Sequence, residues 1–530
     1  MITFFEKPDG SVIAVEHQNP FSGDESQRLT WLFDGALMLQ DAVKEGPFAG
    51  PRKEMITPWS TNAVEITQNM GFTGISRIEE FFPCRKSPTD FDPMLQALYE
   101  VLTQELFSLN AKPEQVKEDD DFDTYNETEG LALSGNEIDY LVSLSQKLGR
   151  KLTDSEVFGF SQVNSEHCRH KIFNGTFIID GEEKPSSLFA LIKRTSKENP
   201  NYIVSAYKDN VAFIGGPAAV EFAPERQDQP GFFRTRPTET VISLKAETHN
   251  FPTTVEPFNG AATGTGGEIR DRLAGGKGSL AIAGTAVYIT SYSRTEASRR
   301  WESFTEERKW KYKSPGEILI KASNGASDFG NKYGQPLICG SLLTFEHYAD
   351  DKMYGFDKVI MMAGGVGFGI KQDAEKGLPR KGDVIVVMGG DNYRIGMGGG
   401  AVSSVATGEY DNSIELNAVQ RSNPEMQKRV ANVIRAMVES VKNPIISIHD
   451  HGAGGHLNSL SELVETSGGI IEINKLPVGD PTLSAREIIG NESQERMGLI
   501  IKAEDVPLLK AIAERERAPV YIVGEVTGDQ

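Results

Sequence analysis

From residue 383 onward the chain alternates apolar, strand-like runs with amphipathic, helix-like runs, and this alternation is the feature that most restricts the fold. The strand-like runs are DVIVVMGG, IISIHD, MGLIIKA and VYIVGEV, and between them lie PEMQKRVANVIRAMVESV, HLNSLSELVETSGG and VPLLKAIAERER. Alternation of this kind builds layers of sheet and helix. The stretch KGLPRKGD (376–383) precedes it and predicts a boundary. We therefore predict an α/β domain over residues 376–530.

The bulk properties exclude several classes of protein. A chain of 530 residues predicts about three or four domains of ~150 residues each. Its net charge of −20 argues against non-specific nucleic-acid binding, but not against a small anionic ligand held by local cations. No apolar run reaches the ~20 residues of a membrane span, and the N-terminus does not resemble a secretory signal. Three cysteines, Cys84, Cys168 and Cys339, are too few for a disulfide framework, which predicts a cytoplasmic protein.

The remaining chain divides into three further parts. Residues 1–115 predict a small α/β domain, in which FDPMLQALYEVLTQELF is expected to be a helix because its leucines recur at three- and four-residue spacing. Residues 116–170 predict an acidic and helical linker: KEDDDFDTYNETEG (117–130) is interpreted as a solvated segment rather than a binding tail, and a helix is expected after Ser134 with Gly149 near its end. Residues 171–375 form another domain, and past residue 186 they alternate strands and helices with abundant glycine.

The stretch VISLKAETHNFP predicts a strand with a functional side. Ile242, Leu244 and Ala246 share one parity, while Lys245, Glu247 and His249 share the other. Since alternate residues of a strand share a face, we expect the apolar set to face a core and the polar set to line a site. The alternative is an ordinary half-exposed strand.

Two glycine clusters predict loops that bind anions. GAATGTGGEIRD contains Gly260, Gly264, Gly266 and Gly267 and is expected to be a turn whose N–H groups approach a ligand. Arg270 and Asp271 follow at once, a phosphate fork and a magnesium ligand. GGDNYRIGMGGG (389–400) follows an apolar strand, the favoured place for a ligand in an α/β sheet. The alternatives are a flexible turn and a long surface loop.

Histidines and carboxylates complete the inventory. SQVNSEHCRH (161–170) contains His167, Cys168 and His170, and we interpret the histidines as cationic or general-acid groups rather than zinc ligands, and Cys168 as a packed thiol rather than a nucleophile. IISIHDHGAGGH (445–456) places Asp450 at a strand end, where a carboxylate can hold Mg²⁺ against phosphates. The sum predicts an ATP–magnesium site with an anionic co-substrate, because phosphoryl chemistry depends on positioning and charge neutralisation.

Taken in order, several motifs resemble those of the phosphoribosylformylglycinamidine synthase family in its long, single-chain form. They are GPRKEMITPWSTNA, SEHCRHKIFN, KAETHNFPT, GAATGTGGEIRD, GMGGGAVSS, HDHGAGGH and NESQERM. The resemblance implies that formylglycinamide ribonucleotide, ATP and glutamine-derived ammonia give formylglycinamidine ribonucleotide, ADP and phosphate. The amide oxygen would be phosphorylated to an iminophosphate, from which ammonia displaces phosphate.

The resemblance also implies residue roles. His167 and His249 would be the catalytic histidines, with His249 the proton acceptor. Nucleotide contacts are expected from His170, Lys245, Gly264, Gly266 and Gly267. Magnesium ligands would be Glu247, Asp271 and Asp450. The substrate would be lined by Thr248, His249, Asn250, Phe251, Arg270, Gln420, Glu492, Ser493 and Gln494. Many members carry histidine where Phe251 stands, and short members carry tyrosine at the position of His170; we interpret both departures as marks of subtype.

The resemblance further implies a partial enzyme. The family's synthase module has two pseudo-symmetric halves, and residues 171–375 and 376–530 resemble the barrel-forming and α/β domains of one half, as in aminoimidazole ribonucleotide synthetase. We therefore expect partners in a second synthase half and a glutaminase domain, an exposed apolar surface where the second half docks, and self-association of this chain.

Three rival hypotheses stay open from the sequence. The chain is a non-catalytic half that binds nucleotide or substrate; or it is another ATP-dependent synthetase of the same superfamily, such as the aminoimidazole ribonucleotide, selenophosphate or hydrogenase-maturation enzymes; or its histidine clusters build a zinc hydrolase.

Overall fold

The computed structural model describes residues 1–53, 56–84, 91, 96–109, 112–294, 299–405, 412–420, 422–492 and 495–529. These residues form two compact units, Met1–Glu114 with Val478–Leu483, and Gln115–Pro477 with Ser484–Gln530. Both units contain sheets and helices, which confirms the predicted mixed α/β, multidomain class. No helix in the described ranges combines the length and the apolar character needed to cross a membrane.

The first unit is an antiparallel six-stranded sheet with two helices, in the order β3-β1-β2-β5-β4-β6. Its elements are β1 (Ile2–Glu6), β2 (Val12–His17), α1 (Gly23–Leu32), β3 (Leu37–Met38), β4 (Lys44–Pro51), α2 (Pro58–Asn69), β5 (Ile75–Pro83) and β6 (Gln96–Leu102). Alternation along β1 places Phe4 and Phe5 in separate apolar clusters.

The helix predicted over 91–107 is wrong for its described residues. Gln96–Leu102 is strand β6, paired with β4 so that Tyr99 lies opposite Phe48, and residues 92–95 lie outside the described ranges. Tyr99 and Leu102 join the cluster around Phe81, so burial against the sheet overrides the helical spacing of the leucines.

The second unit begins with short elements. These are β7 (Glu118–Asp119), α3 (Phe122–Glu129), α4 (Gly135–Leu148), β8 (Leu152–Thr153), α5 (Asp154–Val163), α6 (His170–Asn174), β9 (Ile178–Ile179), β10 (Glu182–Glu183) and α7 (Leu188–Glu198). The helix predicted after Ser134 is confirmed as α4, with Ser134 as its N-cap and left-handed Gly149 as its C-cap. The acidic stretch is not simply solvated, because α3 lies within it and buries Phe122.

A six-stranded sheet follows, in the order β11-β12-β13-β18-β14-β15. Its region contains β11 (Ile203–Ser205), β12 (Ala212–Pro224), β13 (Phe233–Thr248), α8 (Asn250–Val255), α9 (Pro257–Leu273), β14 (Leu280–Thr290), α10 (Pro315–Tyr333), β15 (Leu337–Thr344), β16 (His347–Ala349), β17 (Lys352–Tyr354) and β18 (Ile360–Ile370), with 3-10 turns at Arg300–Phe304 and Lys371–Asp373. Helices α9 and α10 pack on one face of this sheet.

The last region is a five-stranded antiparallel sheet, in the order β20-β22-β19-β23-β21. Its elements are β19 (Val384–Met388), α11 (Gly399–Val402), α12 (Asn412–Asn417), α13 (Pro424–Val438), β20 (Ile445–Asp450), α14 (Gly455–Val464), β21 (Gly469–Ile471), α15 (Ala485–Gly490), β22 (Met497–Ile501), α16 (Val506–Glu516) and β23 (Val520–Val526), with 3-10 turns at Ile473–Lys475 and Ala503–Asp505. One core contains Ile269 and Leu273 of α9 together with Ile434 of α13 and Ile448 of β20, and so joins the two regions.

The other face of the six-stranded sheet is an exposed apolar surface, as predicted. Strand register aligns Ile242 with Phe368 and Leu244 with Val366, and direct partners share a face. Leu244, Val366 and Phe368 are each more than a third exposed. We refer to Ile242, Leu244, Val366 and Phe368 as the open sheet face.

Candidate active site

The end of strand β13 carries the predicted polar side chains, but the assignment of its faces was wrong. Lys245 and Glu247 are half-buried and His249 is buried, whereas Leu244 and Ala246 are exposed. The side of the strand that carries the polar residues is the buried side, because α9 packs against it. The alternation was therefore correctly predicted, but the apolar side that was expected to be buried is the exposed one.

The predicted glycine-rich turn is also wrong. Residues 257–273 form helix α9, which is buried almost throughout. N–H groups inside a helix bond to its own carbonyls, so the anion-binding loop predicted from Gly264, Gly266 and Gly267 does not exist. A Cβ on Gly264 would lie 2.9 Å from His249 Cβ, and one on Gly266 would lie 2.7 Å from Phe329 Cζ. Gly264 and Gly266 thus allow close packing of α9.

Three carboxylates from three elements converge beside Lys245. Lys245 Nζ lies 2.9 Å from Asp271 Oδ2 and 3.8 Å from Glu247 Oε2. Asn210 Nδ2 donates to Asp271 Oδ1 at 3.0 Å and to Asp450 Oδ1 at 2.6 Å. The ends of β13, α9 and β20 thus bring Glu247, Asp271 and Asp450 together, as the sequence predicted.

The protonation of this cluster follows from its crowding. Burial, and then repulsion from Asp271, raises the pKa of Glu247 well above its ordinary value. Burial also opposes the charge on Asp271, but Lys245 and the hydrogen bonds from Glu247 and Asn210 hold its pKa below the usual range. Burial opposes the charge on Lys245 as well, and the attraction of Asp271 and Glu247 outweighs it and raises the pKa of Lys245. Lys245 and a proton on Glu247 therefore balance two of the three carboxylates.

These side chains do not enclose a metal by themselves. Within the described ranges, no group of three or more His, Cys, Asp or Glu side chains is arranged to hold a metal ion. Mg²⁺ in nucleotide sites is bound by one or two carboxylates together with phosphate oxygens and water. The donors here are carboxylate oxygens, the type that Mg²⁺ prefers, so the cluster fits a cation shared with phosphate rather than a closed protein site.

The two predicted catalytic histidines have defined hydrogen bonds. His249 Nδ1 lies 2.6 Å from the carbonyl of Gly260, to which it donates, and burial lowers the pKa of His249 to about 4. The ring is therefore neutral and its Nε2 carries a lone pair. His167 Nδ1 lies 2.6 Å from Ser403 Oγ.

The strand-end histidine His449 was not assigned a role from sequence. Its Nε2 lies 2.6 Å from Glu462 Oε2, and its Nδ1 lies 3.3 Å from Asp450 Oδ1. Burial opposes its charge, but these two carboxylates raise the pKa of His449 to about 10. His451 and His456 bond to each other, Nε2 to Nδ1 at 3.0 Å. His449 therefore pairs with two carboxylates, whereas His451 and His456 pair with each other.

The second glycine cluster does contact a carboxylate, but one of the protein's own. Glu492 Oε1 accepts the N–H groups of Gly400 and Gly454, each at 3.1 Å, and its Oε2 accepts from Gln420 Nε2 at 3.1 Å. Burial still raises the pKa of Glu492 to about 7. Ser493 and Gln494, predicted to contact substrate, lie outside the described residues.

Two cavities meet at this cluster. The smaller has a volume of about 30 Å³ and the larger about 620 Å³, and both are lined by His167, Glu247, Asp450, Gly452 and Ala453. The smaller is also lined by His249, Phe251, Gly267, Arg270, Gln420 and Glu492. The larger is also lined by Cys168, His170, Phe189, Lys193, Tyr207, Lys208, Asn210, Lys245, Asp271 and Lys376.

Arg270 is the strongest sign of a ligand in the smaller cavity. Only 1% of it is exposed, and its Nη1 donates to Gln427 Oε1 at 2.6 Å. Its Nε and Nη2 are buried without an acceptor. Because an unpaired buried donor is costly, a guanidinium in this state indicates an acceptor supplied by a ligand.

Two predicted substrate residues lie apart from both cavities. Asn250 accepts the N–H of Met361 at 3.0 Å through its Oδ1, which fixes the start of α8 to β18. Thr248 is exposed on the same parity as Leu244. Sequence reasoning also missed Asn210, whose only signal was the polar triplet Lys-Asp-Asn between two apolar runs.

Three regions match described families. Residues 11–114 match "Formylglycinamide ribonucleotide amidotransferase N-terminal", residues 122–171 match the linker domain of the same enzyme, and residues 380–530 match "AIR synthase related protein, C-terminal domain". The chain is 37% identical over 515 residues to a phosphoribosylformylglycinamidine synthase of Dictyostelium discoideum, covering 91% of this chain and 37% of that protein. It thus spans little more than a third of that relative's length.

Two of the solved structures that the chain matches are from Thermotoga maritima. PurL complexed with FGAR has a TM-score of 0.49 and 26% identity, covering 73% of this chain and 52% of that one. PurLQS has a TM-score of 0.49 and 24% identity, covering 74% and 50%. On the three family regions and the identity over 91% of its length, the chain belongs to the phosphoribosylformylglycinamidine synthase family.

Proposed function

We propose that this chain carries a synthase site for the ATP-dependent amidation of formylglycinamide ribonucleotide to formylglycinamidine ribonucleotide, with ammonia derived from glutamine. The observation that carries the proposal is the meeting of a small and a large cavity at Glu247 and Asp450. A reaction between a substrate amide and a nucleotide requires two neighbouring sites with a shared wall of groups that hold the transferred phosphoryl group.

The larger cavity suits ATP. Its volume of about 620 Å³ lies within the range of nucleotide-sized pockets. Lys245, Lys208, Lys193 and Lys376 line it and offer cations to phosphates, while His170 and Phe189 lie edge to face with ring centroids 5.6 Å apart. Asp271 and Asp450, with Glu247, would hold Mg²⁺ on the phosphates, and the bound ion would neutralise phosphate charge and polarise the γ-phosphoryl group.

The smaller cavity suits the reacting amide. Arg270 offers its unpaired Nε and Nη2 to an oxygen of the substrate, and Gln420 and Glu492 line the same wall. In the reaction the amide oxygen bonds to the γ-phosphorus as the bond to ADP breaks. Ammonia then bonds to the amide carbon, the carbon–oxygen bond breaks, and phosphate leaves. His249, which is neutral, accepts a proton released from nitrogen at its Nε2, and His167 lies across the cavity beside Ser403.

The open sheet face suits the second synthase half. An apolar surface of this kind is the expected form of an interface, and a second sheet of the same type would cover it. The second proposed partner is a glutaminase domain, which would supply the ammonia. The three cysteines are free thiols, which fits a cytoplasmic enzyme.

The decisive experiment combines binding with single turnover. Calorimetric titration with formylglycinamide ribonucleotide, and separately with Mg²⁺–ATP, should give saturable binding of both. Replacing Arg270 with Met should weaken binding of the ribonucleotide about 10- to 100-fold, as expected for the loss of charge-assisted hydrogen bonds. Arg435→Met is the control, because Arg435 pairs with Glu439 on the surface. Failure of the wild-type chain to bind either ligand would refute the proposal.

Turnover separates the rival functions. ADP released with formylglycinamide ribonucleotide and ammonium chloride, at one equivalent per substrate, would support catalysis by this site. Binding of both ligands without ADP would support a non-catalytic binding half. ADP formed only with aminoimidazole-type, selenide or other acceptors would assign the chain to another synthetase activity.

A further inference from the structure

The loop between β11 and β12 places one amide between two of the carboxylates. Asn210 Nδ2 donates to Asp271 Oδ1 at 3.0 Å and to Asp450 Oδ1 at 2.6 Å. Asp271 belongs to α9 and Asp450 to β20, so the amide connects the two regions of the second unit beside Asp450, which lines both cavities.

The loop itself is held in place by Asp209. Its Oδ2 accepts the N–H of Gly276 at 2.6 Å, and its Oδ1 lies 2.9 Å from Lys376 Nζ. The same Oδ1 accepts the N–H of Asn210 at 2.8 Å. The backbone of Asn210 is thus fixed by its neighbour, and its short side chain has little freedom to reach other partners. The bridge to the aspartates is therefore a built feature of the site.

We propose that Asn210 is a positioning residue that sets the separation of Asp271 and Asp450 and prepares them for the divalent cation of the nucleotide. Two ionised carboxylates held apart only by their own repulsion would spread, and a shared neutral donor opposes that spreading without adding charge. Partners that orient metal-binding side chains typically change metal affinity about 10- to 100-fold when they are removed. This inference rests on the proposed function.

Two substitutions should have opposite effects on cation affinity. Asn210→Ala removes the bridge, so binding of Mn²⁺ with a non-hydrolysable ATP analogue should weaken about 10-fold. Asn210→Asp places a third carboxylate beside the other two. Without metal, this variant should melt at a lower temperature than wild type. Mn²⁺ should bind the variant at least as tightly as it binds wild type, and should raise the melting temperature of the variant by more than that of wild type. A residue with a merely structural role would weaken binding in both variants.

The test uses electron paramagnetic resonance of free Mn²⁺, with the intact chain and the ATP analogue present. Asn432→Ala is the matched control. Asn432 lies on α13, away from both cavities, and its Nδ2 donates to the carboxylate of Glu516 at 3.1 Å. Its Mn²⁺ affinity should equal that of wild type. Unchanged Mn²⁺ affinity in both Asn210 variants, or equal weakening in both, would overturn the inference. Absence of nucleotide-dependent Mn²⁺ binding in the wild-type chain would instead overturn the proposed function.

Discussion

Lys245 Nζ lies 2.9 Å from Asp271 Oδ2, and this ion pair joins the end of strand β13 to the last turn of helix α9. Both groups are largely removed from solvent, so the attraction between them is screened little. Lys245 also lies 3.8 Å from Glu247 and balances a cluster that would otherwise be strongly negative. The proposed approach of an anionic triphosphate to three carboxylates would depend on that balance.

Replacement of Lys245 by Met should weaken ATP binding about 10- to 100-fold, because a charge-assisted bond to phosphate is lost and the carboxylates remain. Equilibrium dialysis with labelled ATP measures the effect. Lys371→Met is the control, since Lys371 forms an exposed pair with Glu239 at 2.9 Å. Equal ATP affinity in Lys245→Met and wild type would contradict the placement of phosphates beside Lys245.

Replacement of Gly264 by Ala should destabilise the second unit by about 1–3 kcal/mol, because the added Cβ would lie 2.9 Å from His249 Cβ inside a packed helix. Gly135→Ala in α4 is the matched control: nothing lies within 4 Å of its Cβ, and its stability should change by less than about 0.5 kcal/mol. Urea unfolding followed by circular dichroism compares the two. Wild-type stability in Gly264→Ala would show that α9 does not pack against His249 as described.

Replacement of Phe368 by Glu should suppress self-association, because it places a charge in the middle of the open sheet face. Sedimentation velocity at several concentrations should show association of the wild-type chain and a monomeric variant. Leu378→Glu provides the comparison, as Leu378 is 78% exposed and lies outside the sheet. A wild-type chain that stays monomeric at every concentration would remove this surface as a docking site for a second copy.

Replacement of Glu156 by Gln should remove a pH-dependent part of stability. Arg150 donates to Glu156 Oε1 at 2.6 Å and Oε2 at 2.9 Å, and Thr153 N–H donates at 2.8 Å, which lowers the pKa of Glu156 to about 2. The carboxylate therefore stabilises the folded chain fully above about pH 4.5, and this stabilisation is lost as the pH falls toward about 2. Its side chain is 41% exposed, so the effect at pH 7 should be only about 0.5–1 kcal/mol.

Thermal unfolding from pH 7 to pH 3 tests this expectation. The melting temperature of Glu156→Gln should lie below that of wild type at pH 7, and the two should converge as the solution becomes acidic. Glu198→Gln serves as the control, because that exposed carboxylate lies 3.8 Å from Arg194. If the difference in melting temperature between Glu156→Gln and wild type stayed constant from pH 7 to pH 3, the stabilisation would not depend on ionisation of Glu156.

Local signals predicted those elements whose ends are specified by their own residues. Ser134 and Gly149 marked α4, and the apolar run before Asp450 marked β20. Helix α9 was missed because four glycines in eight residues normally indicate a turn. Gly260 and Gly264 are four residues apart, the spacing of one helix face, and a Cβ on Gly260 would lie 2.3 Å from the backbone of Pro252. Only the three-dimensional packing reveals that Gly260 allows contact with the backbone of Pro252 and Gly264 allows contact with the side chain of His249.

The site was predictable where chemistry is concentrated in the sequence, and not where it depends on partners distant along the chain. Lys245, Glu247 and His249 could be grouped from the parity of one strand. The contact of Asn210 with Asp450 spans 240 positions and has no periodic signal. The side of β13 that faces inward was equally out of reach, because an alternating strand looks the same whichever face a helix covers.

The core shared by α9, α13 and β20 limits how ligands can be exchanged. Ile269 and Leu273 on one side and Ile434 and Ile448 on the other are almost completely excluded from solvent. Sliding the two sheets past each other to widen the gap between Asp271 and Asp450 would expose these side chains to water, at a cost of roughly 1.5–3 kcal/mol for each. Exchange of the proposed nucleotide would therefore depend on the surface segments around the mouth of the larger cavity, whose rearrangement leaves the layered scaffold intact.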